Sequence, residues 1–314
     1  MFTELSPDQA RQYIDATAVF SALEQAQRDA ASYRGGMFWR EVKGVEYLIR
    51  STPTGAQKSL GPKSDANRDM ATHFLAKKQV AEDRVRALSQ ELIKQQRLNR
   101  ALRVGRTPPI VVDTLLAIRK AGLAAHFMVV GTHALYAYET AASVLIPSDA
   151  MATRDVDLLL DTRKQVKFVT QMRRLDSSFL GLLQKVDKTF RLRDDQPYTA
   201  VNDHGFEVDV IRRAANGKDT HPFKLSDEED DFWAVQVDMG ERMLSARPFE
   251  QVVVSTSGTM ARMRTIHPLD FVRIKKLLAA LPSRERSKYR KDELQAQVVS
   301  ELVHAYLPHL TATA

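Results

Sequence analysis

The chain has no cysteine among its 314 residues. Disulfides, thiolate metal sites and a cysteine nucleophile are therefore excluded, and the absence fits a reducing compartment. No apolar run approaches the ~20 residues that a membrane span needs, so no membrane partner is expected. The first residues, MFTELSPDQA, lack both a basic stretch and an apolar stretch. They do not read as a secretory signal, and the expected location is the cytoplasm. The eight histidines show no metal-ligand spacing. Glycine and proline are missing from residues 64 to 103, so nothing there stops a helix, and one long helix with Ser64 as its N-cap is expected. No internal repeat or low-complexity tract is present.

What is present is an ordinary globular composition, 44% hydrophobic and 27% charged, with length for one large core and two domains. The formal net charge is +7. From Lys58 to Arg106 there are twelve Lys or Arg against five Asp or Glu, so this stretch alone carries an excess equal to that of the whole chain. It reads either as a basic arm that tracks a phosphate backbone or as a solvated helix face that packs by its apolar stripe, on the rest of the chain or on a second copy. Before it, Ser6-Pro7-Asp8 opens a helix to about residue 34, and FWREV and EYLIRS make a small sheet around Lys43-Gly44. Arg106-Thr107-Pro108-Pro109 is a boundary. The expected divisions are residues 1–106, 107–266 and 267–314.

The stretch from Phe127 to Asp161 organises the chain. Phe127 to Val130 is a short apolar run ending at Gly131-Thr132. Ala134 to Ala142 has helical composition, and Pro147 breaks it. A second apolar run, Val156 to Leu160, begins with Asp155 and Asp157. Side chains two apart on a strand share a face, so these two carboxylates project together. They repel unless a cation lies between them, and such a pair is what a Mg²⁺ site needs. A turn at Asp203-His204-Gly205 joins YTAVN to FEVDVI as a hairpin. On the second strand Glu207 and Asp209 share a face, costly unless a cation or solvent meets them. Asp227 to Asp231 reads as a solvated acidic loop. Two more strands, Gln251 to Ser255 and Met260 to Ile266, precede a helix with Arg273, Lys275 and Lys276. A basic stretch, Arg284 to Lys291, leads into the last helix.

Gly131-Thr132, a helix, then Asp155-Val156-Asp157 on an apolar strand resembles the signature of the polymerase-β-like nucleotidyltransferases. The likeness extends to bacterial nucleotidyltransferase-like proteins with a TRDVDLL-type strand, an F-x-VD strand and a basic KD-QA segment. Here these are Thr153 to Asp157, Phe206 to Asp209, and Lys291-Asp292 with Gln295-Ala296, within residues 105 to 306. The spacing from Gly131 to Asp155 is long for the superfamily and suggests an insertion around Ile146 to Met151.

The resemblance implies an α+β fold: a polymerase-β-like mixed sheet flanked by helices, with an N-terminal helix, hairpin and long-helix extension and a C-terminal helical segment. It implies transfer of a nucleoside monophosphate from an NTP. Asp155, Asp157 and Asp209 would be the catalytic residues and the ligands of two Mg²⁺ ions, with Mn²⁺ as a substitute. Gly131, Thr132, Arg154, Lys275 and Lys276 would bind the nucleotide. A glycine lets backbone approach a phosphate, and Thr132 offers a hydroxyl at a helix start. Alternatives stay open. Asp155 and Asp157 can be a salt-bridged pair with Arg154, Glu207 can replace Asp209, Thr132 can be only a cap, and His133 can contact ribose or serve structure. Lys291-Asp292 can be a surface ion pair. The acceptors implied are a tRNA 3′ end or other RNA, a protein hydroxyl, a small molecule or a second nucleotide. Toxin-like relatives in toxin–antitoxin and phage-defence systems favour tRNA and suggest an antitoxin partner. The competing functional reading is an inactive transferase fold that binds nucleic acid or mediates assembly.

Overall fold

The computed structural model describes residues 1–175, 177–217 and 219–311. In chain order its first elements are β1 (Thr3–Glu4), α1 (Pro7–Ala31), β2 (Gly36–Val42), β3 (Val45–Ser51), β4 (Gln57–Pro62) and α2 (Asp65–Leu102). Then come α3 (Pro109–Lys120), β5 (Phe127–Val130), α4 (Leu135–Ala142), β6 (Val144–Leu145), α5 (Ser148–Met151), β7 (Asp155–Leu160), α6 (Gln165–Met172) and α7 (Phe179–Gln184). The remainder is β8 (Arg191–Leu192), β9 (Thr199–Val201), β10 (Glu207–Arg212), β11 (Val235–Gln236), α8 (Gly240–Ser245), β12 (Pro248–Val254), β13 (Met260–Ile266), α9 (Pro268–Ala279) and α10 (Arg286–Tyr306). The chain divides into two compact units, residues 11–102 and residues 1–10 together with 103 onward. No helix among the described residues is long and apolar enough to cross a membrane.

In the smaller unit the expected FWREV and EYLIRS strands pair antiparallel, and β4 adds a third strand. With no helix breaker in its sequence, α2 runs for 38 residues. Ser64 accepts from the backbone N–H of Asn67 at 3.2 Å, the expected N-cap bond. The two helices meet at buried Gln12, whose amide donates to Gln95 Oε1 at 2.8 Å and Asn99 Oδ1 at 3.1 Å.

The larger unit is built on a mixed sheet in the order β5-β7-β10-β9-β8, with β11 pairing the far end of β10. β7 and β10 are parallel neighbours, while β5 and β9 flank them antiparallel. On β7, Val156, Leu158 and Leu160 are buried on one face, which leaves the alternate positions Asp155 and Asp157 on the other. On β10, Val208 and Val210 do the same for Glu207 and Asp209. Over the first four residues of each strand this alternation favours the register, because a slip of one residue would turn the acids into the core, while the last three residues of both strands are buried on both faces. Behind the sheet, the fully buried Tyr138 of α4 donates its hydroxyl to the carbonyl of Ile266 at 2.8 Å. α10 packs on α9, α4 and α5.

The segment between α4 and β7 is tied back by a buried carboxylate. Glu139 accepts from Arg106 Nε at 3.0 Å and from the Ile146 backbone N–H at 2.7 Å, and Arg106 also donates to the Ile146 carbonyl. β6 within it pairs antiparallel with β1. One local expectation is corrected. The acidic run 227–231 is not wholly solvated: Asp231 is buried and accepts from the backbone N–H groups of Phe179 and Leu180, both at 2.9 Å. It thereby caps α7, a helix that the mixed composition of its sequence conceals.

Candidate active site

The parallel register sets Asp157 beside Asp209 and Asp155 beside Glu207. One oxygen each from Asp155, Asp157 and Asp209 lies within 4.8 Å of the others. The two strands therefore bring together the three carboxylates that the sequence singles out. Neighbouring hydroxyls orient two of them. Thr199, opposite Asp209 on β9, donates to Asp209 Oδ1 at 2.5 Å. Thr153 donates to the carboxylate of Asp155. Among the described residues none of the three carboxylates forms an ion pair. Arg154 is exposed and makes no salt bridge to Asp155. Glu207 is engaged by Arg193 NH1 at 2.8 Å, so of the two acids on β10 it is the one already neutralised.

Crowding of unpaired carboxylates has an electrostatic consequence. Burial first, then the charges of Asp155 and Asp209, push Asp157 up to about 7. Lys275 and Lys291 partly offset this. Burial likewise raises Asp209 to about 6 against the opposing bond from Thr199. Desolvated like charges hold protons until a cation replaces them. Three hard oxygen donors converging with no ion pair among the described residues fit Mg²⁺ or Mn²⁺.

Gly131 ends β5 at a φ of +66°, in the left-handed region that glycine adopts without strain. His133 is buried, with its ring Nδ1 2.9 Å from the carbonyl oxygen of Asp155. That oxygen only accepts, so Nδ1 carries the proton. Burial pulls the ring down to about 4, and the neutral imidazole braces the start of β7. Thr132 is buried too, its hydroxyl oxygen accepting from Gln295 Nε2 of α10 at 3.0 Å.

Beside the carboxylates lies a cavity of about 610 Å³, within the usual range for small-ligand sites. Gly131 and Asp157 line it on the sheet side, Ile211, Phe271, Ile274 and Leu278 give it an apolar wall, and Lys275, Arg284 and Lys288 bring three cations, with Asp238 and Glu285 also in the lining. Lys275 is buried with its Nζ 2.7 Å from Asp292 Oδ1, and Arg284 NH2 is 2.6 Å from Oδ2 of the same residue. Asp292 is thus no surface partner of Lys291 but a buried anchor for two cations. Burial lowers the pKa of Lys275. Lys276 is exposed and does not line the cavity; Arg154 is likewise outside its lining. The sequence alone does not mark Arg284, Gln295 or Thr199 as binding or catalytic residues. Gln295 meets Thr132 from 163 positions away, and Thr199 and Arg284 meet Asp209 and Asp292 only once the intervening turns fold them together.

No curated protein and no solved structure gives a match. A family model described as nucleotidyltransferase matches residues 110–314. That span takes in the Gly-Thr turn, both acid-bearing strands and the two helices that wall the cavity. With the mixed sheet flanked by helices and the acidic triad, the match establishes that the chain belongs to the nucleotidyltransferase family and is a transferase of that type.

Proposed function

We propose that the protein transfers a nucleoside monophosphate from an NTP to an acceptor hydroxyl, with Asp155, Asp157 and Asp209 holding two Mg²⁺ ions. The observation that carries this reading is the approach of three carboxylate oxygens to within 4.8 Å with no ion pair among the described residues to balance them. Bound there, the ions supply neutralisation of phosphate charge and a more acidic acceptor hydroxyl. The chain's own groups do the rest. The apolar wall of Ile211, Phe271, Ile274 and Leu278 receives the base. Lys275, Arg284 and Lys288 face the phosphates, and the bare Gly131 turn lets them come close to backbone. Thr199 occupies Oδ1 of Asp209, leaving Oδ2 as the oxygen that takes the acceptor proton. Arg154 and Lys276 are assigned to the outer reaches of the nucleotide or to the acceptor.

A tRNA 3′ end is the acceptor proposed first, because the segment from Lys58 to Arg106 carries the chain's excess of positive charge. A protein hydroxyl comes second. Incubation of the full chain with each labelled NTP, total RNA, protein extract and Mg²⁺ tests this. Label should appear in one macromolecular fraction with wild type and not with Asp157→Asn. No label in any fraction with any of the four nucleotides would favour a catalytically inactive binding protein.

A further inference from the structure

Gln295 lies on α10, 163 positions from Thr132 in sequence, and is fully buried. Its amide nitrogen makes two bonds: to the carbonyl oxygen of Ala150 at 2.8 Å and to Thr132 Oγ1 at 3.0 Å. A backbone carbonyl only accepts, so the amide must present its nitrogen to Ala150. A flipped amide would set oxygen against oxygen. The same nitrogen therefore donates to Thr132, and both its hydrogens are spent. The Thr132 oxygen is thereby an acceptor in this pair, and its own proton must point elsewhere. Among the described residues that proton meets no acceptor. The Gln295 Oε1 has no partner among them either, which leaves the carbonyl of Ala150 as what fixes the amide's orientation.

Thr132 follows Gly131, whose α-carbon lies under the Asp157 carboxylate and lines the cavity. A hydroxyl whose proton has no acceptor among the described residues, one position along the chain from a glycine that lines the cavity, suits an anionic acceptor that reaches this turn. We propose that Gln295 is a positioning residue that presets the Thr132 hydroxyl as a hydrogen-bond donor to a phosphate of the nucleotide. The inference rests on the nucleotide reading above and adds to it a named orienting group. It also links the segment between α4 and β7 to the site, since Ala150 belongs to α5 in that segment.

The test measures dissociation constants of non-hydrolysable analogues of the four NTPs, with Mg²⁺, by calorimetry on the full chain. Thermal midpoints are recorded alongside. Thr132→Val removes the hydroxyl at nearly constant shape and should weaken binding about tenfold, as for one bond to a charged acceptor. Thr132→Ser keeps the hydroxyl and should stay within about twofold of wild type. Gln295→Met removes the donor and releases the hydroxyl to other orientations, so it should weaken binding in the Thr132 background and add nothing to Thr132→Val. Losses that multiply in the double variant would overturn the inference. So would Gln295 variants that lower the thermal midpoint while binding nucleotide as wild type does, because Gln295 would then be a structural tie alone. A wild type that binds none of the four analogues overturns the nucleotide reading and this inference with it; tight wild-type binding with independent losses overturns only the inference.

Discussion

A β-carbon on Gly131 would stand 2.2 Å from Oδ2 of Asp157. The relation follows from the register, which pairs Val130 of β5 with Asp157 of β7 just before the chain turns. The carboxylate occupies the space where any other residue would carry its side chain. Gly131→Ala should therefore strain the positive φ, at about 1–2 kcal/mol, and push Asp157 out of line. Misplacement of this order costs about 10²-fold in rate. Labelled-nucleotide transfer and the thermal midpoint check it, and transfer at the wild-type rate would separate Gly131 from the site.

Asp157→Asn keeps the shape of the side chain and removes one charge from a crowded acidic cluster. Without divalent ions the thermal midpoint should hold or rise. Transfer should fall by about 10²–10³, as for loss of one major electrostatic contribution. Added Mg²⁺ should raise the midpoint of wild type and raise that of the variant much less. A strongly destabilised variant would instead mark Asp157 as a structural residue.

The same cluster predicts a pH dependence of stability in the absence of divalent ions. Asp157 titrates near 7 and Asp209 near 6 in the folded chain, against an ordinary value of 3.8. Between these values the folded state holds more protons than the unfolded state, so stability falls as pH rises. The contribution is fully present below the ordinary carboxylate value and is lost as pH passes through about 7. Midpoints measured in chelator should decline across that window, and Asp157→Asn should flatten the decline. Apparent Mg²⁺ affinity should move the opposite way, strengthening as the protons leave. A midpoint independent of pH in chelator would argue against the coupled cluster.

The basic helix gives a prediction in the other unit. Lys77, Arg97 and Arg100 are exposed and have no ion pair among the described residues, whereas Lys78 donates to the Gly35 carbonyl at 2.7 Å and Arg84 lies 3.8 Å from Asp29. Charge reversal at Lys77, Arg97 and Arg100 should weaken RNA binding. It should also flatten the salt dependence by about one unit of slope for each phosphate no longer neutralised. A filter-binding series over salt concentration reads this directly. An unchanged slope would leave α2 as packing.

Much of the site was legible from local pattern. The short apolar run Phe127 to Val130, the Gly131 turn and the period-two placement of Asp155, Asp157, Glu207 and Asp209 all survive as β5, β7 and β10. A strand's alternation is written in neighbouring residues, so it can be read without a partner. Which acid of β10 is free was not legible, because the neutralisation of Glu207 comes from Arg193 across β8 and β9. Nor was the role of Asp292, which looks like half of a surface pair with Lys291 until α9 and the loop after it supply Lys275 and Arg284. Asp231 misled for the same reason. Its run is acidic, and only the fold reveals the helix start that one of those acids caps.

The residues of the site are not spread evenly along the chain. The third carboxylate arrives on β10, by Arg212, while Lys275, Arg284, Asp292 and Gln295 all follow it. During synthesis, which proceeds from the N-terminus with each compact part folding as it emerges, the acids come off the ribosome before the wall of the nucleotide cavity does. A nascent chain held at Arg212 has all three clustered carboxylates and none of the cations of that wall. The cavity wall, and with it the whole candidate site, is completed only when the last two helices, α9 and α10, have been made.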